Sequence, residues 1–356
     1  MAKLHAAVML PNPTFFDKKN AEEWNYGPNQ GALLAEAEKW RKQHSLAPVK
    51  KSRIHLLGID LQKDFCFPQG SLYVGGQSGK GAIDDNVRIA EFIYRNLGLV
   101  DDITLTLDTH YPYQIFFSSF LLDENGNHPA AHTVVSVADV KAGRYHPNPA
   151  VAQWVASGNT DPGQVMTFLE NQLLHYTETL AANGKYELYM WPFHCLLGSA
   201  GHALAGVVDE ARLFHAFARG RQSLLEIKGG HPLTENYSVF KPEVTTRYDG
   251  KPLTQGVNTE LMHKLTSADM LIIAGQAASH CVKSSIDDLL DDVLQRDRSL
   301  AEKIYILEDC TSAVVVPGLV DYTPQAEAAL KKYAAEGMHV VKSTDPIESW
   351  PGAQIA

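Results

Sequence analysis

Residues 270–275, MLIIAG, run directly into residues 275–285, GQAASHCVKSS, and then into residues 286–294, IDDLLDDVL. Six apolar or small residues in a row read as a short strand buried on both faces. The segment that follows reads as a helix from about 279 to 294. A strand that turns at once into a helix is half of a β–α unit, and Cys281 falls in the first turn of that helix. The first turn of a helix is the positive end of its dipole and carries unpaired N–H groups, so the sequence predicts a thiol with a lowered pKa and a ready oxyanion site. Gly275, Ala277 and Ala278 are small, which lets backbone approach a substrate closely.

The same alternation extends outward from this unit. Strands are expected at IHLLGID (54–60), ITLTLD (103–108), SLLEIK (223–228), KIYILEDC (303–310) and MHVVKS (338–343), and YELYMW (186–191) is also strand-like. Helices are expected at 29–44, 84–98, 162–182, within 200–220 and at 323–337. Strands alternating with helices predict an α/β protein with three layers, αβα, around a mainly parallel, doubly wound sheet. The expected organisation is an N-terminal extension with a helix over 1–50, a main domain over 51–345 interrupted by an insertion at about 111–185, and a C-terminal tail over 346–356.

Composition narrows the function. The 356 residues carry a formal net charge of −10, which disfavours a general nucleic-acid binder. The basic run Lys50, Lys51, Ser52, Arg53 reads as a solvated linker. No stretch approaches the ~20 apolar residues of a membrane span, and Pro11 and Pro13 interrupt the apolar N-terminal patch, so a signal peptide is not expected. Cys66, Cys195, Cys281 and Cys310 include no CxxC pair, which points to a reducing, cytoplasmic setting rather than a disulfide framework.

Ligands of open parallel sheets bind beyond the carboxyl ends of the strands. Asp60, Asp108 with His110, Lys228 and Cys281 all fall there. Asp60 suits acid–base work beside a nucleophile, and Lys228 suits charge stabilisation of a thiolate. Asp108, His110 and His194 offer one oxygen and two imidazoles, a set that suits Zn²⁺, Mn²⁺ or Fe²⁺. His202, His231 and His280 are further histidines near the rim, His280 being adjacent to the thiol.

Taken in order, IDLQKDFCFPQGSLYVGG (59–76), LDTH (107–110), WPFHCLLGSAG (191–201), EIKGG (226–230) with ENYSVF (235–240), and IIAGQAASHCVKSS (272–285) resemble the nicotinamidase and isochorismatase-like cysteine hydrolase family. WPFHC together with SHCV looks more like its nicotinamidase branch. The resemblance covers roughly residues 52–120 and 186–345. It implies the isochorismatase-like hydrolase fold and a catalytic triad of Asp60, Lys228 and Cys281. It further implies oxyanion donors at the N–H groups of Ala277 and Cys281, a cis peptide at Gln276–Ala277, metal ligands Asp108, His110 and His194, and Phe65 and Trp191 flanking a flat ring. Gln114 stands near a position where many relatives carry another His or acidic residue. The implied activity is amide hydrolysis through a thioester, nicotinamide to nicotinate, on a small-molecule amide, with a divalent metal and no organic cofactor. A homo-oligomer with neither nucleic-acid nor membrane partners is implied. Rival readings are an isochorismatase-type or other hydrolase and a non-catalytic binding protein. Cys66, Cys195 and Cys310 are expected to be structural, Cys195 adjoining the metal ligands.

Overall fold

A computed structural model of the chain describes residues 9–46, 49, 53–155, 161–184 and 186–353. Residues 1–8 of the N-terminal patch, and Lys50, Lys51 and Ser52 of the basic run, lie outside the described residues. The core is a sheet of six strands: β1 (Ile54–Ile59), β2 (Asp102–Asp108), β3 (Leu224–Lys228), β4 (Met270–Gly275), β5 (Ile304–Leu307) and β6 (His339–Val341). They lie in the order β6-β5-β4-β1-β2-β3, every pair parallel. The chain winds one way from β1 to β3 and the other way from β4 to β6. The winding therefore reverses between β1 and β4, the switch point where an open α/β sheet leaves a crevice.

The helices that matter to the site are α1 (Gln30–Gln43), α2 (Gly81–Arg95), α3 (Pro162–Asn183), α4 (Gly206–Arg219), α5 (Thr259–Thr266), α6 (Cys281–Arg296) and α7 (Thr323–Ala335). Alternate residues of β1 face opposite ways, as a pleated strand requires. Ile54 and Leu56 join a cluster with Ile89 and Phe92 of α2 and Val208 and Phe214 of α4. Leu57 and Ile59 join another with Ile286 and Leu290 of α6 and Tyr333 of α7. Helices thus cover both faces, and the three-layer architecture follows.

Helix ends obey local chemistry. Asp161 caps α3 by accepting from Gly163 N (3.0 Å), Pro162 opens it, and Gly184 closes it in a left-handed conformation. Val165, Leu169, Leu173, Tyr176 and Leu180 recur at helical spacing along one side of α3 and are buried in the same cluster as Leu57 and Ile59. The long helix of the 111–185 segment therefore shares the core beneath the sheet.

Three expectations need correction. YELYMW is not a sheet strand: only Leu188–Tyr189 is extended, paired antiparallel with Val134–Val135. Its flanking amides bond within the 111–185 segment, Met190 N to Thr133 O (2.8 Å) and Trp191 N to Phe116 O (2.9 Å), while β3 occupies the edge beside β2. The stretch between β3 and β4, where no element is expected from the sequence, contains α5. Asn258 caps it by accepting from Leu261 N, and Leu261, Met262 and Leu265 are its buried side. Helix α2 begins at Gly81, three residues before the Asp84 start that its acidic residues suggested.

Candidate active site

The carboxyl ends of β1, β2, β3 and β4 converge on one buried cluster. Asp60 follows β1 with a left-handed backbone (φ 49), a conformation that costs a non-glycine residue about 1–3 kcal/mol. Thr106 of β2 holds it there: its hydroxyl accepts from Asp60 N (3.0 Å) and donates to Asp60 Oδ1 (2.5 Å). Lys228 ends β3 with its ammonium buried. Its Nζ lies 2.9 Å from Asp60 Oδ2, 3.0 Å from Asp108 Oδ1, 2.8 Å from Asn236 O and 3.7 Å from Cys281 Sγ. Cys281 opens α6, and the peptide Gln276–Ala277 before it is cis. One cation therefore stands among two carboxylates and a thiol.

Burial dominates the electrostatics. It is the largest influence on each group, and it disfavours whichever form is charged. It pushes the Asp60 carboxyl above its ordinary range despite Lys228 beside it. It also pushes the Cys281 thiol well up, Lys228 pulling it down and the carboxylates of Asp60 and Asp108 adding to the rise. The direction is opposite to the lowering expected of a thiol at a helix terminus: burial favours the neutral form of Cys281 at rest. Attraction overcomes burial at Asp108, from His110 and then Lys228, and at Lys228, from Asp108 and then Asp60. The lysine is held well above its ordinary value and the aspartate well below.

Above the cluster is a cavity of about 40 Å³ bordered by Phe65, His110, Trp191, His194, Ala277 and Cys281, among others. That is room for a few waters or one small flat group. Ala277 and Cys281 both border the cavity, and the N–H of neither has a backbone acceptor among the described residues. Their neighbours are committed: Ala278 N to Ser312 O, and His280 N and Val282 N to Ala277 O. Phe65 and Trp191 both line the cavity, and so does His280. His202 and His231 do not: His202 Nε2 meets Thr109 Oγ1 (2.8 Å), and His231 Nδ1 accepts from Leu233 N. The thiols of Cys66, Cys195 and Cys310 are buried and unpaired.

On another side of the cavity, ligand atoms of Asp108, His110 and His194 lie within 4.8 Å of one another. The nitrogens face the carboxylate: His110 Nε2 is 2.9 Å and His194 Nε2 3.7 Å from Asp108 Oδ2. Each ring's Nδ1 is turned to a backbone carbonyl, His110 to Gly229 O (3.3 Å) and His194 to Pro192 O (2.7 Å). The carboxylate and the carbonyls all accept only, so each ring has an acceptor at either nitrogen; with the proton on Nδ1, Nε2 is left to bind a metal. Burial lowers the His110 pKa, against the opposing pull of the Asp108 carboxylate. One carboxylate and two imidazoles with ligand atoms this close, in a cluster with two carboxylates and one lysine, form a donor set that fits a divalent cation. Gln114 takes no part. Its amide donates to Gly229 O and His231 O and accepts from Tyr111 N, tying down the loop instead.

The sequence reading missed the residues that hold these groups. Gln62 brackets Asp108, donating to its carbonyl (2.8 Å) and accepting from its N–H (2.7 Å). Asp64 accepts from Cys195 N (2.7 Å), which fixes the WPFHC loop carrying His194. Glu235 borders the cavity and accepts from three aromatic side chains. The available signal was polar residues at buried places inside motifs already singled out: QKDF, ITLTLD and ENYSVF.

No family model matches the chain, and no curated protein sequence matches it. Solved structures do. A nicotinamidase/pyrazinamidase from Acinetobacter baumanii is 17% identical, aligned over 83% of this chain and 99% of its own, with a TM-score of 0.48. Yeast nicotinamidase bound to the inhibitor nicotinaldehyde is 16% identical over 81% of this chain and 99% of its own, TM-score 0.47. Pyrazinamidase of Pyrococcus horikoshii in complex with zinc is 17% identical over 82% and 99%, TM-score 0.42.

Proposed function

We propose that the protein is a cysteine hydrolase that cleaves a small, flat carboxamide to the acid and ammonia through a thioester, with nicotinamide the reference substrate. The observation that carries this reading is the convergence of Asp60 and Lys228 on the Cys281 thiol, which borders a cavity too small for a bulky substrate. The motif resemblance supports it independently.

In this mechanism the neutral thiol gives its proton to Asp60, whose raised pKa makes it a competent base. Lys228 offsets the charge that develops on sulfur as the S–C bond forms. The carbonyl oxygen takes the electron pair and is held by the N–H groups of Ala277 and Cys281, each donor worth on the order of 3 kcal/mol. Asp60 returns the proton to the amide nitrogen as the C–N bond breaks, and ammonia departs. Water then adds to the thioester, giving its proton to Asp60; the C–S bond breaks and the thiol regains the proton. Phe65 and Trp191 flank the ring. Asp108, His110 and His194 would hold a divalent ion such as Zn²⁺, Mn²⁺ or Fe²⁺, which when bound supplies a Lewis acid for a ring nitrogen or a water.

The test is ammonia release from nicotinamide by the purified protein with each metal. Release that disappears in Cys281→Ala, with an unchanged circular-dichroism spectrum, is expected. Ammonia still released by that variant contradicts the mechanism.

A further inference from the structure

Beyond the reacting atoms, one buried carboxylate organises the aromatic wall. Glu235 Oε1 accepts from Tyr237 OH (2.6 Å) and from Trp191 Nε1 (3.1 Å), and its Oε2 accepts from Tyr176 OH (2.6 Å). Trp191 Nε1 also lies 3.0 Å from Tyr237 OH. The Tyr176 hydroxyl in turn accepts from Glu235 N (3.2 Å), so it grips Glu235 at two points. All four residues are buried, and Glu235, Trp191 and Tyr237 border the cavity. Tyr176 does not border it. It sits on α3, the long helix of the 111–185 segment, which lies outside the motif resemblance.

An indole N–H can only donate, and a bonded N–H fixes the ring beyond what packing alone does. Here its acceptors are Glu235 Oε1 and the Tyr237 hydroxyl, which itself donates to Glu235. Glu235 is itself held by Tyr176, whose backbone is fixed by the buried side of α3. The order of dependence is therefore α3, Tyr176, Glu235, and then the Trp191 and Tyr237 rings.

We propose that Tyr176 and Glu235 are positioning residues that set the width of the substrate slot, and that α3 is thereby the element determining which flat amides fit. This rests on the proposed amidase reading. It assigns the 111–185 segment a role in substrate selection exerted from outside the cavity, through hydrogen bonds.

Tyr176→Phe removes the hydroxyl and keeps the ring. For nicotinamide the expected result is a KM raised about ten-fold with kcat changed less than about two-fold, because binding and not the reacting constellation is loosened. Glu235→Gln, which keeps the shape but presents an amide to three donors, should raise KM further. A reader of ring position that needs no turnover runs beside these: the near-ultraviolet circular-dichroism band of Trp191, defined as the difference between the parent protein and Trp191→Phe. Most of that band should vanish in Tyr176→Phe. Unchanged KM with an unchanged band overturns the proposal, and so does a fall in kcat at constant KM. If the parent protein releases no ammonia, the amidase reading fails, and the band alone decides whether Tyr176 positions the indole.

Discussion

At the scale of the residue, burial governs what each group can do. Asp60, Asp108 and Lys228 are all within the protein, so one ammonium balances two carboxylates in a setting with little water. Removing one partner of a buried ionic cluster leaves an uncompensated charge, at a cost of about 3–5 kcal/mol. Lys228→Met should therefore lower unfolding stability by that order, read by urea denaturation, as well as ending turnover; retained stability would mean that the cluster is not ionised as described. A second residue-scale prediction concerns pH. Burial lowers the pKa of His55 and of His215 from 6.5 to about 4. His215 Nε2 donates to Val100 O (2.8 Å), while its Nδ1 has no partner among the described residues. Such histidines bind protons more readily in the unfolded chain. Their contribution is complete above pH 6.5 and is lost as pH falls from there through about 4. Unfolding in urea at about pH 7.5 and about pH 5 should give the lower stability at pH 5, with a smaller difference in His215→Gln.

At the scale of the element, the decisive unit is β4, the turn and α6. Gly275 has φ 124, and a Cβ there would lie 2.1 Å from Ile59 O and 2.5 Å from Ile59 N of the neighbouring strand β1. Only glycine permits that approach at the switch point. Gly275→Ala should destabilise the protein by at least about 2 kcal/mol and spread Asp60 from Cys281; a thermal melt that matches the parent protein would contradict this. This unit was legible in the sequence because strand, small residues and thiol come within about a dozen positions, and strong local periodicity survives packing. YELYMW was misread for the opposite reason. Its composition is that of a strand, but where its amides bond depends on Thr133 and Phe116, partners the sequence cannot bring together. Asp60, Asp108, Lys228 and Cys281 could be singled out because each ends or closely follows an apolar run. Gln62, Asp64 and Glu235 could not be ranked, because their value lies in contacts 44 to 131 residues away along the chain. The thiol's protonation state was also beyond the sequence: the helix terminus is local and visible, while the burial that outweighs it comes from the whole fold.

At the scale of the whole molecule, a six-stranded parallel sheet brings four strand ends to one crevice, and helices seal both faces. The metal donors come from the β2 end and from the WPFHC loop, more than eighty residues later. Binding at that set should therefore staple distant parts of the chain and stabilise the fold in proportion to the free ion. Thermal unfolding of chelator-treated protein should rise on adding Zn²⁺, and the rise should be absent in the double variant His110→Ala, His194→Ala; equal shifts in both proteins would place the ion elsewhere. Among the described residues no helix is long and apolar enough to cross a membrane. The cluster of Asp60, Lys228 and Cys281 stands or falls on whether the thiol becomes acylated. The most direct measurement supplies hydroxylamine during nicotinamide turnover, since a thioester passes its acyl group to that nucleophile. The account predicts a hydroxamate that appears together with ammonia, both lost in Cys281→Ala. Ammonia and hydroxamate formed at the parent rate by Cys281→Ala would contradict it.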